Sequence, residues 1–209
     1  MNVTGRMILH WSPRSPYVRK VMITAHELGL HDRIDTVRTV VGGTDPHPEL
    51  MRENPLGKIP TLVLADGTTI YDSPVVCEFL DRVAGGSRFP ADWNARLVTL
   101  RWQALGSGML DISLLRLTER NKPEAMRSAP HQALWLGKIV CCLNALEAEA
   151  AKLAATPFNI GHIAIGVALG YLDFRFGAEA WQATRPKLAA WHSSFNARPS
   201  VAANMPQEG

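Results

Sequence analysis

The spacing of apolar residues changes near residue 84, and this change divides the chain into two halves that must fold differently. Up to residue 83, short apolar runs typical of strands alternate with segments of helical spacing, whereas beyond residue 90 the apolar residues recur every three or four positions. The glycine- and proline-rich residues 84–90 offer little to bury, which is typical of a linker. A chain of 209 residues has room for two small domains. We therefore predict one domain over residues 1–84 and another over residues 91–209.

Four segments of the first half have the composition of strands. Residues 7–11 form a short apolar run that predicts a buried strand, and residues 34–40 predict a weaker one. Residues 61–64 and 68–71 flank an Asp-Gly pair, the dipeptide typical of a tight hairpin turn. We therefore expect a small sheet that contains one hairpin.

Two helices of the first half begin with the same signal, a serine followed by a proline. Ser15 precedes Pro16, and Ser73 precedes Pro74. Serine caps the free N–H groups of a first turn, and proline fits there because its missing N–H is not needed. Together with the strands, the element order is βαβ followed by ββα, which predicts an α/β domain of thioredoxin-like type.

The second half shows helical spacing throughout and no strand signal. Residues 163–172 are apolar on nearly every side, so we expect a helix that is buried all round and begins after Asn159 as its cap. Residues 106–108, with the sequence Gly-Ser-Gly, interrupt an earlier helix and are expected to bend it. The fold class is therefore an α/β domain followed by an all-α domain.

Charge and composition exclude several function classes. The 22 Lys and Arg residues exceed the 19 Asp and Glu residues by only three and do not cluster, so nucleic-acid binding is not expected. No apolar stretch has the length of a signal peptide or a membrane span, so we expect no membrane association. The three cysteines show no CxxC motif and no metal-ligand spacing, which favours the cytoplasm and argues against a metal site. The GxSxG motif of many serine hydrolases is missing.

Four local motifs follow one another along the chain: SPYVR at residues 15–19, NPLGKIP at residues 54–60, Asp-Ser at residues 72–73, and a stretch over residues 185–201. In this order and spacing, the chain resembles the cytosolic glutathione transferases. The sequence ALGYLDFR at residues 168–175 is similar to the small bacterial branch that has an active-site serine. The resemblance implies a thioredoxin-like N-terminal domain, an all-helical C-terminal domain and a two-fold homodimer.

The resemblance also implies a reaction and the residues that perform it. Such enzymes turn the thiol of their co-substrate glutathione into a thiolate, which attacks a small hydrophobic electrophile. Ser15 matches the thiol-activating position, as a hydrogen-bond donor, because it directly precedes the Pro-aromatic pair at the helix start. Ser12 matches the first position of a CxxC-like frame and is the second candidate. Since neither position holds cysteine, a mixed disulfide with glutathione is not expected there.

Five further residues match the family's glutathione-binding positions. The backbone of Ile59, before a cis Pro60, is expected to pair with the peptide part of glutathione like a short strand edge. Ser73 and its N–H suit the γ-glutamyl carboxylate because they lie at a helix N-terminus. Asp72 is placed to accept the ammonium group, and Lys58 to reach the glycyl carboxylate as a point charge. Serine-proline pairs and surface lysines also occur without any such role, so these assignments depend on the resemblance.

The electrophile pocket is expected between the two domains, beside the first helix of the second half. Its expected lining residues are Trp11, Tyr17, Met109, Leu110, Leu114 and Arg116. The identity of the electrophile does not follow from these residues.

Two positions depart from the family pattern, and one of them is Asp72, where many relatives have the longer Glu. The other is at a helix start. The buried helix of the second domain usually carries Asp at the third position of its first turn, where it returns a hydrogen bond to the capping residue. Here Asn159 is followed at that position by His162. We expect a neutral histidine not to return this bond, and we expect a weaker helix start.

The sequence therefore predicts a glutathione transferase that activates the thiol with a serine hydroxyl at a helix N-terminus. The alternative is a related protein that binds glutathione or a partner without turnover, as a regulatory or interaction module. A complete binding set and a serine hydroxyl are needed for conjugation, but they are also compatible with binding alone.

Overall fold

The computed structural model describes residues 5–42 and 46–208 in two compact units. The first consists of the described residues of 1–91 and 199–209, and the second of residues 92–198. Our sequence-based boundaries placed residues 199–209 in the helical domain, but these residues group with the first unit. The reason is a long-range contact, in which the Ser200 hydroxyl donates a hydrogen bond to Glu27 Oε1 (2.5 Å).

The segment expected to be a linker is fixed to the first unit by one buried carboxylate. Asp81 is 2 % exposed, and its side chain accepts hydrogen bonds from the backbone N–H of Arg88 (2.9 Å) and of Phe89 (3.2 Å). The Phe89 side chain is itself buried. Residues 84–87 are exposed, as expected of a segment with little to bury, and Phe89 is the exception to that prediction.

The first unit is built on a four-stranded mixed sheet. Its strands are β1 (Met7–Trp11), β2 (Ile34–Arg38), β3 (Thr61–Val63) and β4 (Thr69–Ile70). They lie in the order β2-β1-β3-β4, with β1 parallel to β2 and antiparallel to β3, and β3 antiparallel to β4. The predicted hairpin is present, and its turn closes with the Gly67 N–H donating to the Leu64 carbonyl (2.9 Å).

Three helices accompany this sheet: α1 (Pro16–Glu27), α2 (Pro48–Glu53) and α3 (Ser73–Val83). In α1, Val18, Val21 and Ala25 are fully buried on one face, as the spacing predicted. Gly29, with a φ of +67°, follows the end of α1, where a left-handed conformation is easily adopted by glycine. We did not predict α2, whose six residues are too few to show helical spacing.

The second unit consists of long helices. These are α4 (Trp93–Arg120), α5 (Ala129–Ala155), α6 (Ile160–Phe176) and α7 (Pro186–Asn196), whereas α8 (Pro199–Ala202) belongs to the first unit. Helix α4 runs without interruption through Gly106, contrary to the expected break. A Cβ atom on Gly106 would lie 2.5 Å from the carbonyl carbon of Ala164, so this glycine lets α4 and α6 approach closely.

Helix α6 is the buried centre of the second unit, as predicted, and its start corrects one expectation. The Asn159 side chain accepts from the N–H groups of Gly161 (3.0 Å) and His162 (3.4 Å). His162 Nδ1 accepts the return hydrogen bond from the Asn159 N–H (3.2 Å), and Nε2 donates to the Leu153 carbonyl (3.0 Å). A neutral imidazole thus closes the capping box, because its unprotonated ring nitrogen is an acceptor.

Within the described part of the chain, no helix has the length and apolar character needed to cross a membrane.

The hydrogen bonds of the two His162 ring nitrogens make the capping box at the start of α6 sensitive to pH. Burial is the main cause that lowers the pKa of His162 below its usual value, and the nearby positive charge of Arg198 lowers it further. The His162 imidazole therefore binds a proton less readily in the folded protein than in the unfolded chain, where it is protonated below about pH 6.5. This contribution to stability is present above that pH and is lost as the pH falls through it.

We predict that the wild-type protein loses its stability advantage over His162→Gln as the pH falls from 7.5 to 5.5. Glutamine can accept and donate one hydrogen bond at this position but does not titrate. The limiting slope for one proton is about 1.4 kcal/mol per pH unit. Urea unfolding of both proteins at each pH measures this difference, and an advantage that stays constant would show that His162 is not the responsible group.

Candidate active site

The pairing of the strands brings the predicted site segments together at the end of the sheet where β1 and β4 finish and β3 begins. We call this end of the sheet the edge. His10 of β1 pairs with Thr61 of β3, and Leu62 of β3 pairs with Ile70 of β4. Because neighbouring strands in this part of the sheet are antiparallel, the residues after β1, before β3 and after β4 all leave the sheet at the same end. This topology gathers the segments that contain the expected activating and glutathione-binding residues, which are Ser12, Ser15, Lys58, Ile59, Pro60, Asp72 and Ser73.

Ser15 joins β1 to α1 and caps the helix, as predicted. Its Oγ accepts a hydrogen bond from the Val18 N–H (3.3 Å), and its own N–H donates to the Ser12 carbonyl (3.2 Å). Since the oxygen serves the helix as an acceptor, the hydroxyl hydrogen remains to donate to a ligand. The first turn of α1 contains no acidic residue that would offset the positive end of the helix dipole.

The loop before β3 is fixed by Asn54, a residue to which we had assigned no role. Asn54 is 1 % exposed, and its amide nitrogen donates to the Lys58 carbonyl (3.0 Å) and to the Thr61 hydroxyl oxygen (2.9 Å). Its amide oxygen accepts from the Leu56 N–H (3.0 Å). Asparagine before a proline is a common turn signal, and this signal already pointed to such a role in the sequence.

This loop holds the Ile59 backbone in place. The Ile59–Pro60 peptide bond is cis, as expected from the resemblance. Neither the N–H nor the carbonyl of Ile59 bonds to another backbone group among residues 5–42 and 46–208. The Lys58 side chain is exposed, and no ion pair joins it to a described residue.

The start of α3 differs in one detail from the prediction. Asp72, and not Ser73, is the capping residue, and Ser73 is the first residue of the helix. The Asp72 carboxylate makes no capping hydrogen bond and is exposed, whereas Ser73 is 1 % exposed. The Tyr71–Asp72 peptide bond is also cis. An exposed carboxylate thus lies directly before a helix N-terminus, at the edge reached by the other site segments.

A hydrogen-bonded network around the buried His10, at the end of β1, was not predicted from the sequence. His10 on β1 is 8 % exposed, with Nδ1 2.8 Å from the Thr39 hydroxyl and Nε2 2.5 Å from Glu53 Oε2. The Thr39 hydroxyl donates to the Val37 carbonyl (3.1 Å), so its oxygen accepts from His10. These contacts tie the end of β1 to the end of α2. A histidine inside an apolar strand was the only available sequence signal.

Cys77 does not supply a nucleophile to this site. It is fully buried in α3, and the Thr24 hydroxyl contacts its sulfur at 3.4 Å. Burial raises the pKa of the Cys77 thiol, which keeps it protonated at neutral pH.

The structure does not bring all the expected electrophile-pocket residues to a surface. Met109 and Leu110 are 1 % and 0 % exposed, so these apolar side chains belong to the core of the second unit and were wrongly assigned to a pocket wall. Arg116 is buried as well, and it pairs with Glu179 (Nη1 to Oε2, 3.3 Å) and lies over the Phe176 ring.

The other expected pocket residues retain some exposure. Leu114, Tyr17 and Trp11 are half-buried. Trp11, together with Ser12 and Ser15, lines a cavity of about 100 Å³ inside the first unit. A pocket for an electrophile stays a prediction.

Comparisons with known proteins match this architecture over most of the chain. The family model of the glutathione S-transferase N-terminal domain matches residues 14–83, and the model of the C-terminal domain matches residues 123–193. An Escherichia coli (strain K12) protein described as uncharacterized and GST-like, YibF, is 30% identical over 203 residues, which cover 96% of this chain and 98% of that protein.

The chain belongs to the glutathione S-transferase family.

Solved structures of family members extend this agreement to three dimensions. A glutathione transferase family member from Pseudomonas fluorescens Pf-5, with bound glutathione, is 38% identical, with a TM-score of 0.92 over 97% of this chain and 100% of that chain. A glutathione S-transferase from Methylobacillus flagellatus KT, with glutathione bound, is 32% identical, with a TM-score of 0.87 over 96% of this chain and 100% of that chain. The fold is therefore that of the family, with a thioredoxin-like N-terminal domain and a helical C-terminal domain.

We predict that Asn54→Ala lowers the free energy of unfolding by about 1–3 kcal/mol, because it removes the acceptor of the Leu56 N–H and the two hydrogen bonds that the buried Asn54 amide donates. Asn54→Asp keeps the acceptor for Leu56 but replaces the donor by a carboxylate oxygen that faces the Lys58 carbonyl at a buried position, so it should be at least as destabilising as Asn54→Ala. Urea unfolding of the three proteins measures both differences. Wild-type stability in Asn54→Ala would show that the loop does not depend on this amide.

Proposed function

We propose that this protein is a glutathione transferase in which the Ser15 hydroxyl stabilises the thiolate of bound glutathione for attack on a small hydrophobic electrophile. The observation that carries the proposal is the geometry of Ser15 at the N-terminus of α1. Its oxygen accepts from the Val18 N–H, so its hydrogen is the one available to a sulfur atom.

The magnitudes agree with this role. A free thiol with a pKa near 8.5 is only a few per cent ionised at neutral pH, and each unit of lowering takes about 1.4 kcal/mol. A hydroxyl that donates to a charged acceptor contributes about 1.5–3 kcal/mol, and a helix N-terminus adds about 0.3–1 kcal/mol. Together they lower the thiol pKa by roughly one to three units, which raises the thiolate fraction at pH 7 from a few per cent to about a quarter or more.

The rest of the edge complements the charges of glutathione. The N–H and carbonyl of Ile59, which bond to no other backbone group in the described part of the chain, suit the peptide backbone of the ligand. The exposed Asp72 carboxylate suits its ammonium group, and the N-terminus of α3 at Ser73 suits its γ-glutamyl carboxylate. Lys58, which follows the turn fixed by Asn54, is the proposed partner of the glycyl carboxylate. Pro60 completes the loop that presents these groups.

The proposal includes assembly and location. Trp93 and Leu97 of α4 are exposed by 65 % and 53 %, and this supports a homodimer that covers them. None of the three cysteines is in a disulfide, which supports a reducing compartment such as the cytoplasm.

We predict that Ser15→Ala lowers kcat/KM for conjugation of an activated aryl halide by about 10- to 100-fold, the value of one hydroxyl donor to a charged sulfur. Ser15→Thr keeps both the hydroxyl and the helix cap and should retain most of the activity, whereas Ser12→Ala should change it less than threefold. A large loss in Ser12→Ala with an active Ser15→Ala would assign the activating role to Ser12. Glutathione binding without any turnover in the wild type would favour the non-catalytic alternative.

We predict that Asp72→Asn weakens glutathione binding by roughly 10- to 100-fold, because it removes the charged acceptor proposed for the ammonium group. The control is Glu124→Gln, which makes the same change in net charge at an exposed position of the second unit. Calorimetric titration with glutathione measures both. Equal affinity in the two variants would remove Asp72 from the binding set.

A further inference from the structure

The segment that follows α8 runs back along α1 toward Ser15. Near the end of α1, Ser200 donates to Glu27, and the amide nitrogen of Asn204 lies 3.3 Å from His26 Nδ1. The Asn204 amide also donates to the Ser200 carbonyl (2.7 Å), which closes a turn of the segment on itself. The chain beyond α8 is thus attached to α1 by side-chain hydrogen bonds.

A buried arginine extends this attachment toward the start of α1. Arg19 lies one helical turn after Ser15 and is 6 % exposed. Its Nε donates to the Asn204 carbonyl (2.7 Å), and its Nη2 lies 3.4 Å from the Met205 sulfur. The planar guanidinium fixes the direction of the segment at this point, because two of its nitrogens contact two successive residues.

The segment ends on the turn that contains both candidate serines. The Gln207 N–H donates to the Pro13 carbonyl (3.3 Å), and Pro13 lies inside the turn closed by the Ser15 N–H and the Ser12 carbonyl. Ala203, Asn204, Met205 and Gln207 line the same cavity of about 100 Å³ as Ser12 and Ser15. The segment is therefore in direct contact with the turn proposed to activate the thiol.

We propose that residues 203–207 form a positioning element for the turn of Ser12–Ser15, with Arg19 as its anchor on α1. This inference rests on the proposed function, and it assigns to these residues an effect on the ionisation of the bound thiol and not on the affinity for the protonated form of glutathione. None of them supplies a hydroxyl or a charge to the proposed thiolate site; they act through the turn.

The physical reason is that the strength of the hydrogen bond from one hydroxyl depends on where that hydroxyl is held. A hydrogen bond weakens steeply when its donor moves or tilts, and functional groups must be held within about 0.5 Å of their productive position. Inside the turn, the Pro13 nitrogen has no hydrogen to donate, so the carbonyl is the one backbone group of Pro13 that can form a hydrogen bond. The Gln207 N–H supplies that contact from a segment distant in sequence.

The test is a matched pair of variants at one exposed residue. Gln207→Pro removes the side chain together with the N–H that bonds to Pro13, whereas Gln207→Ala removes the side chain and keeps the N–H. The measurement is the pH titration of the ultraviolet absorbance of the thiolate in the glutathione complex. We expect Gln207→Pro to raise the thiol pKa by roughly 0.3–1 unit, a two- to tenfold loss of thiolate below that pKa, within the range of one hydrogen bond. Gln207→Ala should keep the wild-type pKa, and in both variants the glutathione Kd should change less than twofold when it is measured below the thiol pKa of the complex, where the ligand binds as the protonated thiol.

Arg19→Lys tests the same positioning element at its anchor on α1. Lysine keeps the positive charge near the start of α1 but lacks the Nε donor to Asn204, so the thiol pKa should rise as in Gln207→Pro. A wild-type pKa in both Gln207→Pro and Arg19→Lys would overturn the inference, as would a loss of affinity without a change of pKa. If the wild-type complex itself shows no thiolate below the pKa of free glutathione, the proposed function fails first, which is a separate result.

Discussion

The hydrogen bond from the Val18 N–H to the Ser15 hydroxyl oxygen fixes the start of α1, and the site depends on that start. Pro16 allows the helix to begin there without losing a needed donor, and Ser15 satisfies one of the free N–H groups. The same side chain that stabilises the helix is thereby held with its hydrogen at the positive end of the helix dipole. Structure and proposed chemistry share one residue, so neither role is separable from the other.

The topology of the sheet determines which chemical groups share this edge with Ser15. Because β3 runs antiparallel to both β1 and β4, three loops leave one edge, and each brings a different chemical group. The loop before β3 brings the Ile59 N–H and carbonyl, which have no backbone partner among the described residues. Asn54 holds this loop by hydrogen bonds to Lys58, Thr61 and Leu56. The segment after β4 brings a carboxylate and a helix N-terminus. A zwitterionic, peptide-like ligand matches this combination of groups.

The local features of the fold were predictable from the sequence, and the long-range contacts were not. Helix starts at Ser-Pro pairs, the Asp-Gly hairpin and the apolar α6 all depend on neighbouring residues, which a sequence shows directly. The contacts of Asp81 with the predicted linker and of Ser200 with α1 join residues that only the fold brings together. For the candidate site, the sequence predicted which segments carry the proposed residues, whereas the core position of Met109 required the structure. The acceptor role of His162 in the cap of α6 required it as well.

The most direct test of this account is a crystal structure of the protein with bound glutathione, in which the distances from its sulfur to the two serine hydroxyls are measured. The account predicts that the sulfur lies within hydrogen-bond reach of Ser15 Oγ, in front of the first turn of α1, and farther from Ser12. A sulfur that points away from α1, or that contacts Ser12 instead, would contradict it.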